Sequence, residues 1–438
     1  AFQEVDQQAL FKPITKKTWT VTHAARVPEM FREAFRTALT PRRGPVQLNL
    51  PRDVLSEQCD FGRFQRPQEN RAQNLPQADN QLIIEAAKIL HGAAKPVIVV
   101  GGGIKNCGGH EDVLALAEKL NSPIILAPGH GDAIPHGHPL NSGQMGPRGN
   151  VVASRLAKEA DVILALGTRL GFNSTFYSYD NINSDADIIQ VELEPTAIGR
   201  YFPIRLGIWA DARAVAGQLT NALEKVEIRE EVVAWTHAYR DERAAYLSQR
   251  DSAADDRDRP IQPSGLYRVL RSVLPKNAIV TMDAGTLCLQ ATDALEYHQP
   301  PGLFTPLDFG LVGFSFACGL GVKLAQPDRP VVSLMGDGGF GMTVSELSTA
   351  VDHGINTVTL VMNNQCWGAE KAYQRDFFGG RYIGANVSSP PYDRLAELYG
   401  AAGFKAERLS EVADAVQAAL ACGKPAVVDI SVDPAALY

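Results

Sequence analysis

The residues with the clearest capacity for chemistry form two short runs. The first, Gly336-Asp337-Gly338-Gly339, follows the apolar stretch Val331-Val332-Ser333-Leu334-Met335. The second, Asn363-Asn364-Gln365-Cys366, follows Thr357-Val358-Thr359-Leu360-Val361-Met362. Both apolar stretches have strand character and a helical stretch lies between them, so the runs sit at the ends of adjacent parallel strands. A hard divalent cation takes oxygen ligands, commonly a carboxylate, an amide or main-chain oxygen, and phosphate oxygens from a ligand. Asp337 and the Asn364 amide supply two such ligands and the Cys366 carbonyl a third. Gly338 and Gly339 let the main chain approach a diphosphate closely at the start of the following helix. A glycine-rich turn explains the first run alone, and an asparagine capping a strand end explains the second. Set twenty-seven positions apart across one β-α-β unit, the pair points instead to a cation and a phosphorylated ligand.

The elements that must hold these residues are legible in the periodicity. The last portion alternates strands at 278–282, 331–335, 357–362 and 426–430 with helices at 311–324, 344–353, 392–399 and 411–422. A similar alternation runs through strands at 96–100, 123–126, 162–166 and 188–193 and helices at 81–90, 111–120, 151–160 and 212–223. Each set predicts an α/β domain with a doubly wound parallel sheet, whose ligands sit beyond the carboxyl ends of the strands. The opening residues predict an amphipathic helix at 27–39 and a strand at 46–50, too little for a large core. A polar stretch from Asp60 to Asp79 and a charged stretch from Glu224 to Arg259 read as linkers. The division is therefore 1–60, 79–224 and 261–438 in a chain of 438 residues.

Composition narrows the partners. Forty-two Lys and Arg against forty-nine Asp and Glu leave a net charge of −7, with no basic stripe for nucleic acid. The longest near-apolar run, Phe309 to Val322, has four glycines in fourteen residues and is too short to span a bilayer. Six scattered cysteines without a CxxC pair fit a reducing cytoplasm better than a disulfide framework or a structural zinc. The first residues lack a start methionine and a signal peptide, so the chain is expected to begin within a longer protein. Gly101-Gly102-Gly103, after the strand at 96–100, reads as a tight turn, or as a seat for FAD or ADP in the central domain. His130, His136 and His138 have no acidic or Cys partner at metal spacing and read as surface residues.

The whole chain resembles the thiamin diphosphate (thiamine pyrophosphate) enzymes of the acetohydroxyacid synthase and pyruvate decarboxylase superfamily. The resemblance implies that Asp337, Asn364 and the Cys366 carbonyl bind Mg2+, with Gly336, Gly338 and Gly339 against the cofactor diphosphate. It implies that Gly285 and Thr286, in Asp283-Ala284-Gly285-Thr286, form the other side of that pocket. Asp308-Phe309-Gly310-Leu311-Val312-Gly313-Phe314 resembles the stretch that meets the aminopyrimidine, with the Gly310 carbonyl accepting from its amino group and Val312 propping the bent cofactor. Ala1-Phe2-Gln3-Glu4, Pro13-Ile14-Thr15-Lys16 and Gly44 to Val54 resemble the later part of the pyrimidine-binding domain, and Ala165 to Leu170 resembles the middle domain. The family's activating glutamate belongs to the earlier half of the pyrimidine-binding domain, and no residue here matches it. Glu4 does not correspond to it.

Within that family, Asn363 to Lys371 with Gln374, Asp376-Phe377 and Arg381 is similar to the sulfoacetaldehyde acetyltransferase branch. Trp367-Gly368-Ala369-Glu370 stands where acetolactate synthases usually carry a Leu-Gly-Met type of sequence, and Trp367 is expected beside the cofactor. That branch turns sulfoacetaldehyde and phosphate into acetyl phosphate and sulfite, so Lys371, Arg375 and Arg381 are candidates for holding the anionic substrates. The alternatives are an acetolactate synthase or related 2-oxo acid decarboxylase or carboligase, and a non-catalytic cofactor-binding fragment or partner subunit. Binding of the cofactor between subunits in this family implies a homodimer or homotetramer.

Overall fold

The apolar runs become strands because β-branched residues flanked by turn formers pack well in a sheet covered on both faces. The computed structural model describes residues 4–62 and 64–437. Ala1, Phe2 and Gln3 of the opening run, and Tyr438 at the end of the third domain, lie outside them. Near the beginning, β1 (Thr18–Thr20) pairs in parallel with β2 (Gln47–Asn49). The helix Val27–Leu39 supplies Met30 and Ala34 to a small core with Trp19, Val21 and Val54.

The middle sheet contains β3 (Pro96–Val100), β4 (Ile124–Leu126), β5 (Asn141–Gln144), β6 (Val162–Leu166), β7 (Asp187–Glu192) and β8 (Leu206–Trp209). Its order is β5-β4-β3-β6-β7-β8, all parallel, with separate apolar cores on its two faces. The glycines after β3 have a packing reason. A β-carbon on Gly101 would lie 2.7 Å from the Gly167 carbonyl oxygen, and one on Gly103 2.5 Å from the Gly167 α-carbon.

The third domain contains β9 (Ile279–Met282), β10 (Leu303–Phe304), β11 (Val331–Gly336), β12 (Val358–Asn363), β13 (Ala402–Ala406) and β14 (Ala426–Ser431). The order β10-β9-β11-β12-β14-β13, all parallel, reverses direction between β9 and β11. A crevice opens at such a switch point, beyond the strands' carboxyl ends. Asp283 to Thr286 and Gly336 to Gly339 flank it.

Two expectations are corrected. The charged stretch 224–259 is largely a 23-residue helix, Glu230–Ser252, rather than an extended linker. Its Val232, Trp235 and Tyr239 recur at helical spacing and are buried, and the Trp235 indole donates to the Pro96 carbonyl at 3.3 Å. The three histidines are half-buried rather than on the surface. His136 lies 3.3 Å from Glu296 and His138 3.2 Å from Glu118. The acidic partner of His136 is thus in another domain, beyond the reach of local spacing.

Buried polar contacts fix the middle domain against the third. Asp132, wholly buried, accepts from the main-chain N–H groups of Gly302 and Leu303 at 2.9 Å each. Lys105 pairs with Asp132 at 2.8 Å and donates to the Leu303 carbonyl at 2.6 Å. Arg250 of the long helix lies 2.8 Å from Glu296, the same carboxylate that meets His136. Among the described residues no helix is long and apolar enough to cross a membrane.

His136 and Arg250 hold the Glu296 carboxyl well below the usual carboxylate range. A carboxylate depressed in the folded state stabilises above its unfolded value, about 4.5, and loses that contribution as pH falls towards the folded one. Glu296→Gln is expected to cost about 1.5–3 kcal/mol at pH 7, the worth of hydrogen bonds to a charged group. In urea unfolding the difference from wild type should shrink progressively below about pH 4.5. A difference constant down to pH 3 would contradict this origin of the stability.

Candidate functional site

The register of β11 on β12 pairs Gly336 with Met362, which sets Asp337 and Asn364 just beyond the ends of neighbouring strands. Asp337 opens the helix Asp337–Thr343 and is fully buried. Asn364 and Cys366 are buried as well. Between them Gln365 takes a left-handed conformation, φ 52°, which a residue with a side chain adopts only at a cost. That reversal brings the Cys366 carbonyl oxygen back to 3.1 Å from Asn364 Oδ1, and the same Oδ1 lies 3.3 Å from Asp337 Oδ1.

In this orientation of the amide, Oδ1 faces the other two oxygens with no hydrogen between, which is unfavourable unless a cation joins them. The Asn364 Oδ1 accepts only a weak contact from the Cys366 N–H, at 3.3 Å. Rotating the amide would let its nitrogen donate to both other oxygens. A cation between them satisfies all three at once. Adjacent ligands of an octahedral magnesium site, each at about 2.1 Å from the ion, stand roughly 3.0 Å apart. The observed separations match that spacing. No group of three His, Cys, Asp or Glu side chains is placed to hold a metal among the described residues, so a cation here rests on this mixed oxygen set.

Around the oxygens the main chain is stripped of side chains by close approach. A β-carbon on Gly338 would stand 2.7 Å from the Trp367 ring, and one on Gly368 2.7 Å from Thr286 Oγ1. On Gly339 it would overlap the Asp283 carboxylate and reach Val312 Cγ1 at 3.3 Å. Gly285, at φ 132° and ψ 159°, begins the helix Thr286–Ala294 in a region reserved for glycine. Asp283 accepts from Gly313, Phe314 and Ser315 N–H groups at 2.9, 2.8 and 3.3 Å, capping the helix Phe314–Ala325.

The structure therefore gathers Thr286, Val312, Gly338, Gly339, Trp367 and the oxygen set into one cradle, with Gly285 and Gly336 at its edges. Gly310 and Leu311 stand on the exposed stretch that leads into it. The three candidate cations separate. Lys371, half-buried, lies over the Tyr382 ring at 5.7 Å. Arg375 is paired with Asp376 at 2.6 Å, and Arg381 donates to the Phe378 carbonyl at 3.3 Å beside a surface groove of about 780 Å³.

Three supporting residues escape a reading by motif. The Ser389 hydroxyl donates to Asp337 Oδ2 at 2.5 Å, and the Tyr392 hydroxyl to the Asp337 main-chain oxygen at 2.8 Å. Asp429 accepts from the Asn363 amide and from Tyr392 N–H, both at 3.0 Å. The run Ser388-Ser389-Pro390-Pro391, turn-forming in composition, is the signal that the sequence carries for this segment. Burial pushes the Asp337 carboxyl upward despite the Ser389 hydroxyl, and pushes the Cys366 thiol upward too.

Both larger domains are similar to known proteins. Residues 83–219 match the thiamine pyrophosphate enzyme central domain, and residues 283–430 the C-terminal TPP binding domain of the same enzymes. A sulfoacetaldehyde acetyltransferase of Castellaniella defragrans is 32% identical over 96% of this chain and 72% of its own length. A probable acetolactate synthase large subunit of Methanococcus aeolicus is 28% identical, covering 99% and 74%. The acetolactate synthase large subunit of Corynebacterium glutamicum is 29% identical, covering 99% and 70%.

Without a bound cation, the buried Asp337 charge is a cost to folding. Asp337→Asn keeps the shape, and its new amide can donate to a neighbouring oxygen. The substitution is expected to stabilise the cofactor-free protein by about 1–2 kcal/mol. Calorimetry should show the melting temperature rising by a few degrees; a lower value would refute the crowded-oxygen account.

Proposed function

The chain belongs to the thiamine pyrophosphate enzyme family, and on that premise we propose that it converts sulfoacetaldehyde and phosphate into acetyl phosphate and sulfite. The supporting observation is the run Trp367-Gly368-Ala369-Glu370, which begins three residues after Asn364, with Trp367 against the bare face of Gly338. Relatives named sulfoacetaldehyde acetyltransferase at 32% identity favour the same reading.

In this reading Asp337, Asn364 and the Cys366 carbonyl would hold Mg2+, and the main chain at Gly338 and Gly339, bare of side chains, would receive the diphosphate. When bound, thiamin diphosphate supplies the covalent chemistry that carries the acetyl group. Gly285 and Thr286 close the cradle opposite Gly368, and Val312 would support the cofactor's ring portion. The Gly310 carbonyl would accept a hydrogen bond from the cofactor's amino group. Lys371 is the cation best placed to attract the sulfonate and the incoming phosphate, because Arg375 is already engaged by Asp376. A homodimer or homotetramer completes the site.

Acetolactate synthesis from pyruvate is the second reading. It is favoured by relatives named as acetolactate synthase large subunits that align with 99% of the chain. The two separate in one assay of the full-length protein with thiamin diphosphate and Mg2+. Sulfite release that requires both sulfoacetaldehyde and phosphate is expected, lost on adding EDTA and restored by excess Mg2+. Acetolactate formed from pyruvate without sulfite release would reverse the order of the two readings.

A further inference from the structure

The segment Ala385–Tyr392 is an irregular strap that crosses the loop carrying two of the three cation ligands. Trp367 N–H donates to the Ala385 carbonyl at 2.8 Å and Val387 N–H to the Gln365 carbonyl at 2.9 Å. Cys366 and Asn386 form an antiparallel bridge between these bonds. The strap thereby fixes the direction of the Cys366 carbonyl. Further along, its Ser389 hydroxyl meets Asp337 Oδ2 at 2.5 Å, and its Tyr392 hydroxyl meets the Asp337 carbonyl at 2.8 Å. The strap's own end is tied down where Tyr392 N–H donates to Asp429.

We propose that Ser389 is a positioning residue for the cation site. By occupying Oδ2 it fixes the rotation of the Asp337 carboxylate so that Oδ1 alone faces Asn364 and Cys366. The inference rests on the reading of Asp337, Asn364 and Cys366 as cation ligands. Two features make Ser389 the point of control. A carboxylate turns easily about its last bond, whereas the main-chain carbonyl of Cys366 is already held by the strap's ladder. Among the described residues, the side-chain donor to Asp337 Oδ2 is the Ser389 hydroxyl of the strap. Partners that orient a ligand in this way typically change metal affinity by about 10- to 100-fold when removed.

The test is a Mg2+ titration of the full chain at fixed thiamin diphosphate, following intrinsic tryptophan fluorescence, because Trp367 lines the cradle. Ser389→Ala is expected to raise the half-saturating Mg2+ concentration about 10- to 100-fold, and to lower the metal-free melting temperature by a few degrees because the buried carboxylate loses a donor. Ser389→Thr, which keeps the hydroxyl, should bind as wild type does. If Ser389→Ala fails to fold, Ser389→Cys, a weak donor of similar size, should show the same loss. Equal Mg2+ dependence in wild type and in the folded Ala or Cys variant would overturn the role of Ser389 and leave the cation site standing. A wild-type protein that binds no thiamin diphosphate at any Mg2+ concentration would overturn both.

Discussion

At the tips of β11 and β12, the Asn364 amide oxygen stands 3.3 Å from the Asp337 carboxylate and 3.1 Å from the Cys366 carbonyl oxygen in a buried place. Such an arrangement costs free energy in the bare chain, and a divalent cation between the oxygens would relieve it. The surrounding structure maintains it. Sheet register sets the two ligand-bearing strands level, the left-handed Gln365 turns the Cys366 carbonyl inward, and the strap at 385–392 holds both partners in place.

The two aspartates beside the cradle illustrate how placement separates structural from functional roles. Asp283 and Asp337 both follow a strand, both are buried, and burial raises the carboxyl of each. Asp283 receives three main-chain N–H groups and is spent on capping a helix. Asp337 receives the Ser389 hydroxyl on Oδ2 and main-chain N–H groups, among them those of Gly338 and Asn364, while Oδ1 also faces the Asn364 amide oxygen. The first is spent on a helix terminus and the second stands among oxygens at the strand tips.

The middle domain matters to the cradle through rigidity. It is joined to the third domain by the Lys105–Asp132 pair, by the Glu296 cluster and by the contact of Arg169 with Asp308 at 3.3 Å. Asp308 opens the exposed stretch that carries Gly310 and Val312 towards the cradle. The long helix Glu230–Ser252, which connects the two domains in sequence, also packs on the first and bonds to the second.

Local patterning determined most of the regular elements. The helix Val27–Leu39 and the strands Pro96–Val100 and Val162–Leu166 carry periodicities that admit one conformation, and their bounds are the ones that patterning indicates. It also determined the parallel sheets and the pairing of Asp337 with Asn364, since both follow from the order of strands and helices along the chain. Other features were decided by tertiary structure. The polar strand Asn141–Gln144 is buried, with the Asn141 amide donating to the Ile134 and Pro135 carbonyls and the Gln144 amide to Thr292, so no apolar alternation announces it. The helix Glu230–Ser252 hides its buried stripe among charges. His136 meets Glu296 and Ser389 meets Asp337 across long stretches of chain, and the hydrogen bonds exist only because the folded backbone carries them together. Residue type and spacing register what lies within a turn or one β-α-β unit; which distant hydroxyl or carboxylate completes a site depends on packing, which no local pattern encodes.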